Sequence, residues 1–158
     1  MGCIAQIKGK KDSGKTAVIE KVIGMLRTNF PGITIAVFKH SHHSLDLQGK
    51  DTDRFRRAGA DVIVFQEGEE ESVIFLPGFQ GFKLIDLIPV DVVLIEGFSK
   101  IDVSRSFEID NVSQIEETSR KVFENLVECL KVEKRNDERK EDPLVLFALS
   151  ILKKYGLR

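Results

Sequence analysis

Eight residues near the start of the chain constrain its fold more than any other stretch. Gly9-Lys10-Lys11-Asp12-Ser13-Gly14-Lys15-Thr16 fits the pattern G-x-x-x-x-G-K-[ST] without a mismatch. An apolar β-type run, Cys3 to Lys8, precedes it. A helical period follows from Lys15 to about Asn29, with Val18, Val22, Met25 and Leu26 on one stripe. Glycines let such a loop wrap with its N–H groups pointing inward. The helix behind it offers unpaired N–H groups and the positive end of its dipole to an anion. In this reading Lys15 supplies charge to the β/γ oxygens of a nucleotide and Thr16 a hydroxyl to Mg²⁺. Gly9, Lys10, Lys11, Asp12, Ser13, Gly14 and Ala17 complete the binding stretch. The competing reading, a glycine-rich turn with a stray lysine, is disfavoured by the flanking strand and helix.

A phosphate loop needs an acidic partner at the end of a neighbouring strand. Val92-Val93-Leu94-Ile95-Glu96 supplies four apolar residues and then a carboxylate. Glu96 is the candidate for a water-mediated Mg²⁺ contact, or for orienting a water. The alternative is a strand-end glutamate facing solvent. Asp91 stands at the opposite end of the strand, and ligands gather at carboxyl ends.

The remaining pattern completes an α/β chain. Ile33 to Phe38 reads as a buried strand, and Asn29-Phe30-Pro31-Gly32 stops the helix before it. Asp51 or Thr52 caps a short helix through Ala58. Asp61–Phe65 and Ser72–Leu76 form a hairpin. Leu84 to Ile88 is a short helix, Val90 to Ile95 a strand, and Val103 to Ile109 a last strand. Ser113 to Lys131 is an amphipathic helix with Ile115, Val122, Leu126 and Leu130 buried. A charged linker, Lys131 to Asp142, leads to a final helix from Pro143 to about Tyr155, too apolar to be left exposed. The expected architecture is a three-layer P-loop NTPase fold with a largely parallel sheet plus a β-hairpin. Residues 1–134 form the nucleotide-binding domain, and residues 135–158 pack on it or on a second subunit.

Composition narrows the function. The chain has 158 residues, is 42% hydrophobic and carries a net charge of −1, which suits one globular domain and excludes a disordered or fibrous chain. No apolar run approaches the roughly 20 residues of a membrane span. No secretory leader is visible, and a cytoplasmic setting is expected. Cys3 and Cys129 are too far apart in sequence to form a disulfide framework or a metal quartet, so Cys3 reads as a small core residue. Residues 1–60 hold 11 Lys/Arg against 5 Asp/Glu, whereas residues 61–158 hold 13 against 20. A basic first third in a near-neutral chain points to a local anion site. With no Trp and one Tyr there is no aromatic interleaving, and nucleic acid is not an expected partner.

Lys39-His40-Ser41-His42-His43, Asp46, and Gly49-Lys50-Asp51-Thr52-Asp53-Arg54 follow the second strand. From residue types alone this segment contacts the nucleotide, binds a metal, or is a solvated loop. The segment KHSHHSLDLQGKDTDRFRRAGA resembles the one after the second strand in the molybdopterin-guanine dinucleotide biosynthesis protein B family (MobB). The loop GKKDSGKT and the strand VVLIEGFSK stand in that family's order, so the resemblance covers roughly residues 3–100. It implies a homodimeric, weakly hydrolysing, Mg²⁺-dependent GTP-binding accessory protein of molybdenum-cofactor maturation. Such a protein helps a separate guanylyltransferase attach GMP to molybdopterin. By position, Gly14, Lys15 and Thr16 hold phosphates and Mg²⁺, and Glu96 is the second nucleotide motif. Lys39, His40, Asp46, Lys50 and Asp51 belong to the polar segment facing the nucleotide or a partner's substrate. The residues themselves carry no Asn-Lys-x-Asp guanine-reading motif. Two rivals are a small P-loop kinase with Arg54, Arg56 and Arg57 as a lid, and a non-catalytic metal carrier using the histidines.

Overall fold

The computed structural model describes residues 3–39, 51–60, 63–67, 71–75, 85, 88, 90–98, 103 and 105–133. The chain divides into two compact units, Met1–His40 with Phe82–Arg158, and Ser41–Gly81.

The first unit is built on β5 (Val92–Glu96), whose uncharged, mostly β-branched stretch Val92–Ile95 is buried. Such a run belongs in the middle of a parallel sheet. It lies between β1 (Cys3–Lys8) and β2 (Ile35–Lys39), and β6 (Ser106–Glu108) pairs with the far side of β1. All three pairings are parallel, with Ile7 and Lys39 both level with Glu96. The last strand is shorter than Val103–Ile109. Backbone bonds from Gln6 N–H to the Arg105 carbonyl and from Ile109 N–H to the Lys8 carbonyl flank its ladder.

Strand alternation sorts the side chains. Cys3, Ala5 and Ile7 of β1 and Val92 and Leu94 of β5 share one core with Val18, Ile19, Val22 and Leu26 of α1 (Lys15–Asn29). Val122, Leu126 and Leu130 of α3 (Ile115–Glu133) close that core. Each valine, leucine or isoleucine among them contributes about 1.5–3 kcal/mol of burial. The stripe differs from expectation in one place. Ile19 is buried and Met25 only partly so. On the other sheet face Val93 and Ile95 pack with Ile85, Ile4, Phe38 and Phe98. Among the described residues of this unit both long helices lie on the first face, and the expected third layer is not among them.

At the amino edge Asp91 has a structural role. Its carboxylate accepts from Thr34 N–H and the Thr34 hydroxyl, both at 2.7 Å, tying the starts of β2 and β5. The reading of the cysteines is corrected in part. Cys3 is a core residue, 1% exposed, yet it forms a disulfide with Cys129, with Cα atoms 5.9 Å apart across 126 positions. Separation along the chain says nothing about distance once a strand and a helix share a core.

The second unit contains α2 (Asp51–Arg57) and an antiparallel hairpin of β3 (Ile63–Glu67) and β4 (Glu71–Phe75). Arg57 reaches the buried Asp53 carboxylate at 2.9 Å. The expected final helix, nearly all of the linker, and the short helix at 84–88 apart from Ile85 and Ile88 lie outside the described residues. No described helix is long and apolar enough to cross a membrane.

The disulfide closes a loop of 126 residues, which in the chain-entropy account stabilises by about 5 kcal/mol. Cys129→Ala should lower unfolding stability by about that amount in non-reducing denaturant titrations. The same variant should match the wild type once both are fully reduced.

Candidate functional site

The carboxyl end of β1 runs into the Gly9–Thr16 loop, and the loop into α1. Gly9 lies under the chain that follows β6. A Cβ there would stand 2.2 Å from the Ile109 carbonyl oxygen and 2.6 Å from Ser13 Oγ. Gly14 caps α1 at φ +101°, a left-handed conformation that suits glycine. It supplies no side-chain cap, and α1 has no acidic residue in its first turn. The first N–H groups of α1 are therefore left for a ligand. Ser13 is buried, and its hydroxyl has no hydrogen-bond partner among the described residues. Lys15, half-buried, curls back so that its ammonium donates to the Lys10 carbonyl. Lys10 and Lys11 are exposed on the loop, Asp12 adopts φ +61°, and Ala17 sits half-buried in the first turn of the helix.

Glu96 follows Val92 and Leu94 on the face of β5 that carries α1. Its carboxylate thus meets the helix start, and Thr16 Oγ1 donates to Oε2 at 3.0 Å. Lys39, level with Glu96 on β2, approaches Oε1 at 3.2 Å and Oε2 at 3.3 Å. The Glu96 side chain is 13% exposed and that of Lys39 55%, so the pair is open on the lysine side only. The solvent-facing alternative for Glu96 does not describe this carboxylate. The cluster joins a bare helix start, two lysines, a hydroxyl and one neutralised carboxylate. That donor set fits a polyphosphate with a hard divalent cation.

Of the residues singled out in sequence, Lys15, Thr16, Lys39 and Glu96 meet at one sheet edge. His40, Asp46 and Lys50 lie outside the described residues. Asp51 belongs to the second unit, where Arg54 approaches its carboxylate at 3.4 Å. Among the described residues no group of three or more His, Cys, Asp or Glu could hold a metal by itself. Sequence reasoning placed Ile109 at the end of a strand and Ile115 on a helix stripe, but missed their pressure on Gly9 and Gly14. It also missed Gln6, a wholly buried polar residue inside the β1 run. The one signal for Gln6 was a carboxamide interrupting apolar neighbours.

Comparison with known proteins matches the chain to a family. A family model described as molybdopterin guanine dinucleotide synthesis protein B (MobB) matches residues 4–127. A Bacillus subtilis protein named probable molybdopterin-guanine dinucleotide biosynthesis adapter protein is 34% identical over 104 residues, covering 61% of this chain and 59% of its own length. A Haemophilus influenzae protein named as such an adapter is 33% identical over 101 residues, covering 60% and 56%. These matches span less than two thirds of either relative. The crystal structure of Bacillus subtilis MobB aligns with a TM-score of 0.51 at 28% identity, covering 68% of this chain and 67% of that one.

The contact between Gly9 and Ile109 generates a paired stability prediction. Gly9→Ala should destabilise by about 1–3 kcal/mol, because a backbone oxygen cannot step aside as a side chain can. Gly24→Ala, on the open face of α1 with nothing within 4 Å, should stabilise by about 0.5–1 kcal/mol. Urea unfolding of both variants checks the contrast, and equal shifts would contradict the loop geometry.

Proposed function

The chain belongs to the molybdopterin guanine dinucleotide synthesis protein B family, and we propose that it is a Mg²⁺-dependent GTP-binding adaptor in the biosynthesis of that cofactor. The observation that carries this reading is the Thr16–Glu96 hydrogen bond beside a helix start with no cap of its own. Loop N–H groups and the freed ammonium of Lys15 hold the β and γ phosphates. Thr16 and Glu96 would hold Mg²⁺, which would supply positive charge to the phosphoryl oxygens. Both oxygens of Glu96 are engaged, by Thr16 and Lys39, which leaves it ill placed to take a proton from water. Hydrolysis is accordingly slow, as suits an adaptor.

The choice of GTP and of a guanylyltransferase partner handling molybdopterin rests on the family and on the adapter names of the relatives. The kinase alternative draws no support from Arg54 and Arg57, two of its three arginines. Arg54 and Arg57 pair with Asp51 and Asp53 on their own helix. The metal-carrier alternative rests on His40, His42 and His43, outside the described residues. A cytoplasmic setting belongs to the same proposal.

A homodimer completes the proposal. Val64 and Ile74 pair on one face of the β3–β4 hairpin and Phe65 and Val73 on the other, all exposed. An isolated two-stranded hairpin is marginal in water, so a second copy covering these faces has a physical motive.

Titration calorimetry with GTP and ATP, with and without Mg²⁺, tests the nucleotide reading. Lys15→Ala should lose about tenfold or more in GTP affinity while the fold survives, since only a charge-assisted contact is removed. Glu96→Gln should keep Mg²⁺-free binding and weaken the Mg²⁺ dependence. Unchanged GTP binding in Lys15→Ala would reject the site. Sedimentation should show a dimer that Ile74→Lys splits, and an unaltered dimer in that variant would move the interface elsewhere.

A further inference from the structure

Gln6 is entirely buried in the middle of β1, on the same sheet face as Ile4, which packs in the second apolar cluster. A carboxamide in such a place is costly unless its groups are bonded. Leucine would fill the space without that requirement. Its bonds show what the amide is for. Nε2 donates to the Gly97 carbonyl at 2.9 Å and to the Phe98 carbonyl at 3.2 Å. Oε1 accepts from Ser106 Oγ at 3.0 Å. Two carbonyl acceptors on one side and a hydroxyl donor on the other admit only this orientation of the amide.

The two carbonyls belong to the residues immediately after Glu96. Both have left-handed backbones, Gly97 at φ +85° and Phe98 at φ +52°. A phenylalanine holds that conformation only where its surroundings impose it. Gln6 is level with Ile95 on one side and with Ser106 on the other. It therefore ties β1 to the turn that directly follows Glu96 and to the first residue of β6.

From this geometry we infer that Gln6 is a positioning residue for Glu96. By clamping the Gly97–Phe98 turn it holds the carboxylate against Thr16 and Lys39, and Ser106 holds the clamp. Gln6 touches no ligand; it acts through the carboxylate. The consequence for Mg²⁺ rests on the proposed nucleotide reading, whereas the consequence for the Thr16–Glu96 contact does not.

Two arms separate these. In the ligand-free protein the Thr16 methyl resonance reports the contact with Glu96. Gln6→Met, of matching shape, and Ser106→Ala, at an exposed position, should both move that resonance toward its position in Glu96→Gln. Neither should move it further in a Glu96→Gln background. If Gln6→Met fails to fold, Ser106→Ala decides. A Thr16 methyl at its wild-type position in folded Ser106→Ala protein overturns the inference, as does a displacement of equal size in the Glu96→Gln background. The second arm titrates MgCl₂ at fixed GTP. The Mg²⁺ midpoint should rise about tenfold in Gln6→Met, the scale seen when a residue that orients a metal-binding group is removed. Mg²⁺-free GTP affinity should stay the same. Wild-type protein that binds GTP without regard to Mg²⁺ would count against the nucleotide reading, and the methyl resonance would still decide the role of Gln6.

Discussion

The site depends on β5 pairing in parallel with β1 on one side and β2 on the other, in one register. Ile7, Glu96 and Lys39 come level across three strands. That places the start of the Gly9–Thr16 loop, the carboxylate and the lysine at a single sheet edge. Side chains alternate along a strand, so a slip of one residue would carry Glu96 to the face away from α1. The apolar run Val92–Ile95 resists such a slip, because it buries Val92 and Leu94 under the helices and Val93 and Ile95 on the opposite face. The hydrophobic effect thus sets the position of the one charged residue at the end of the run.

Support for the loop comes from far along the chain. Ile109 crosses over Gly9 and Ile115 presses on Gly14, so the turn after β6 and the start of α3 form the wall behind the Gly9–Thr16 loop. The disulfide fastens β1 to the later part of α3, and Lys21 of α1 pairs with Glu116 of α3. A loop written in eight consecutive residues is therefore held in shape by residues about a hundred positions away. This agrees with the general behaviour of binding loops, whose conformation is set by a rigid scaffold beneath them.

Charge at the edge is balanced within the protein. Lys39 and the Thr16 hydroxyl satisfy Glu96, while Lys15 rests on the backbone of its own loop. Lysines of the basic first third differ in what they do. Lys39 neutralises a carboxylate, whereas Lys10 and Lys11 stay exposed on the loop and add to the positive field around it.

Some of this was legible in the linear pattern. The bounds of α1 could be read at both residues, Lys15 and Asn29, because a glycine, an apolar stripe and a Phe-Pro-Gly stop are all local signals. Glu96 could be read as the end of an uncharged run, and Asp91 as standing at the wrong edge, by strand direction alone. Other features needed the folded chain. The partner of Cys3 lies 126 positions away, the acceptors of Gln6 lie 91 and 92 away, and Lys39 meets Glu96 across 57. Propensity and periodicity report what a residue's neighbours in sequence will do. Which distant element comes to lie beside it is decided only when strands choose their order and helices their face, because only then do buried polar and sulfur atoms acquire their partners.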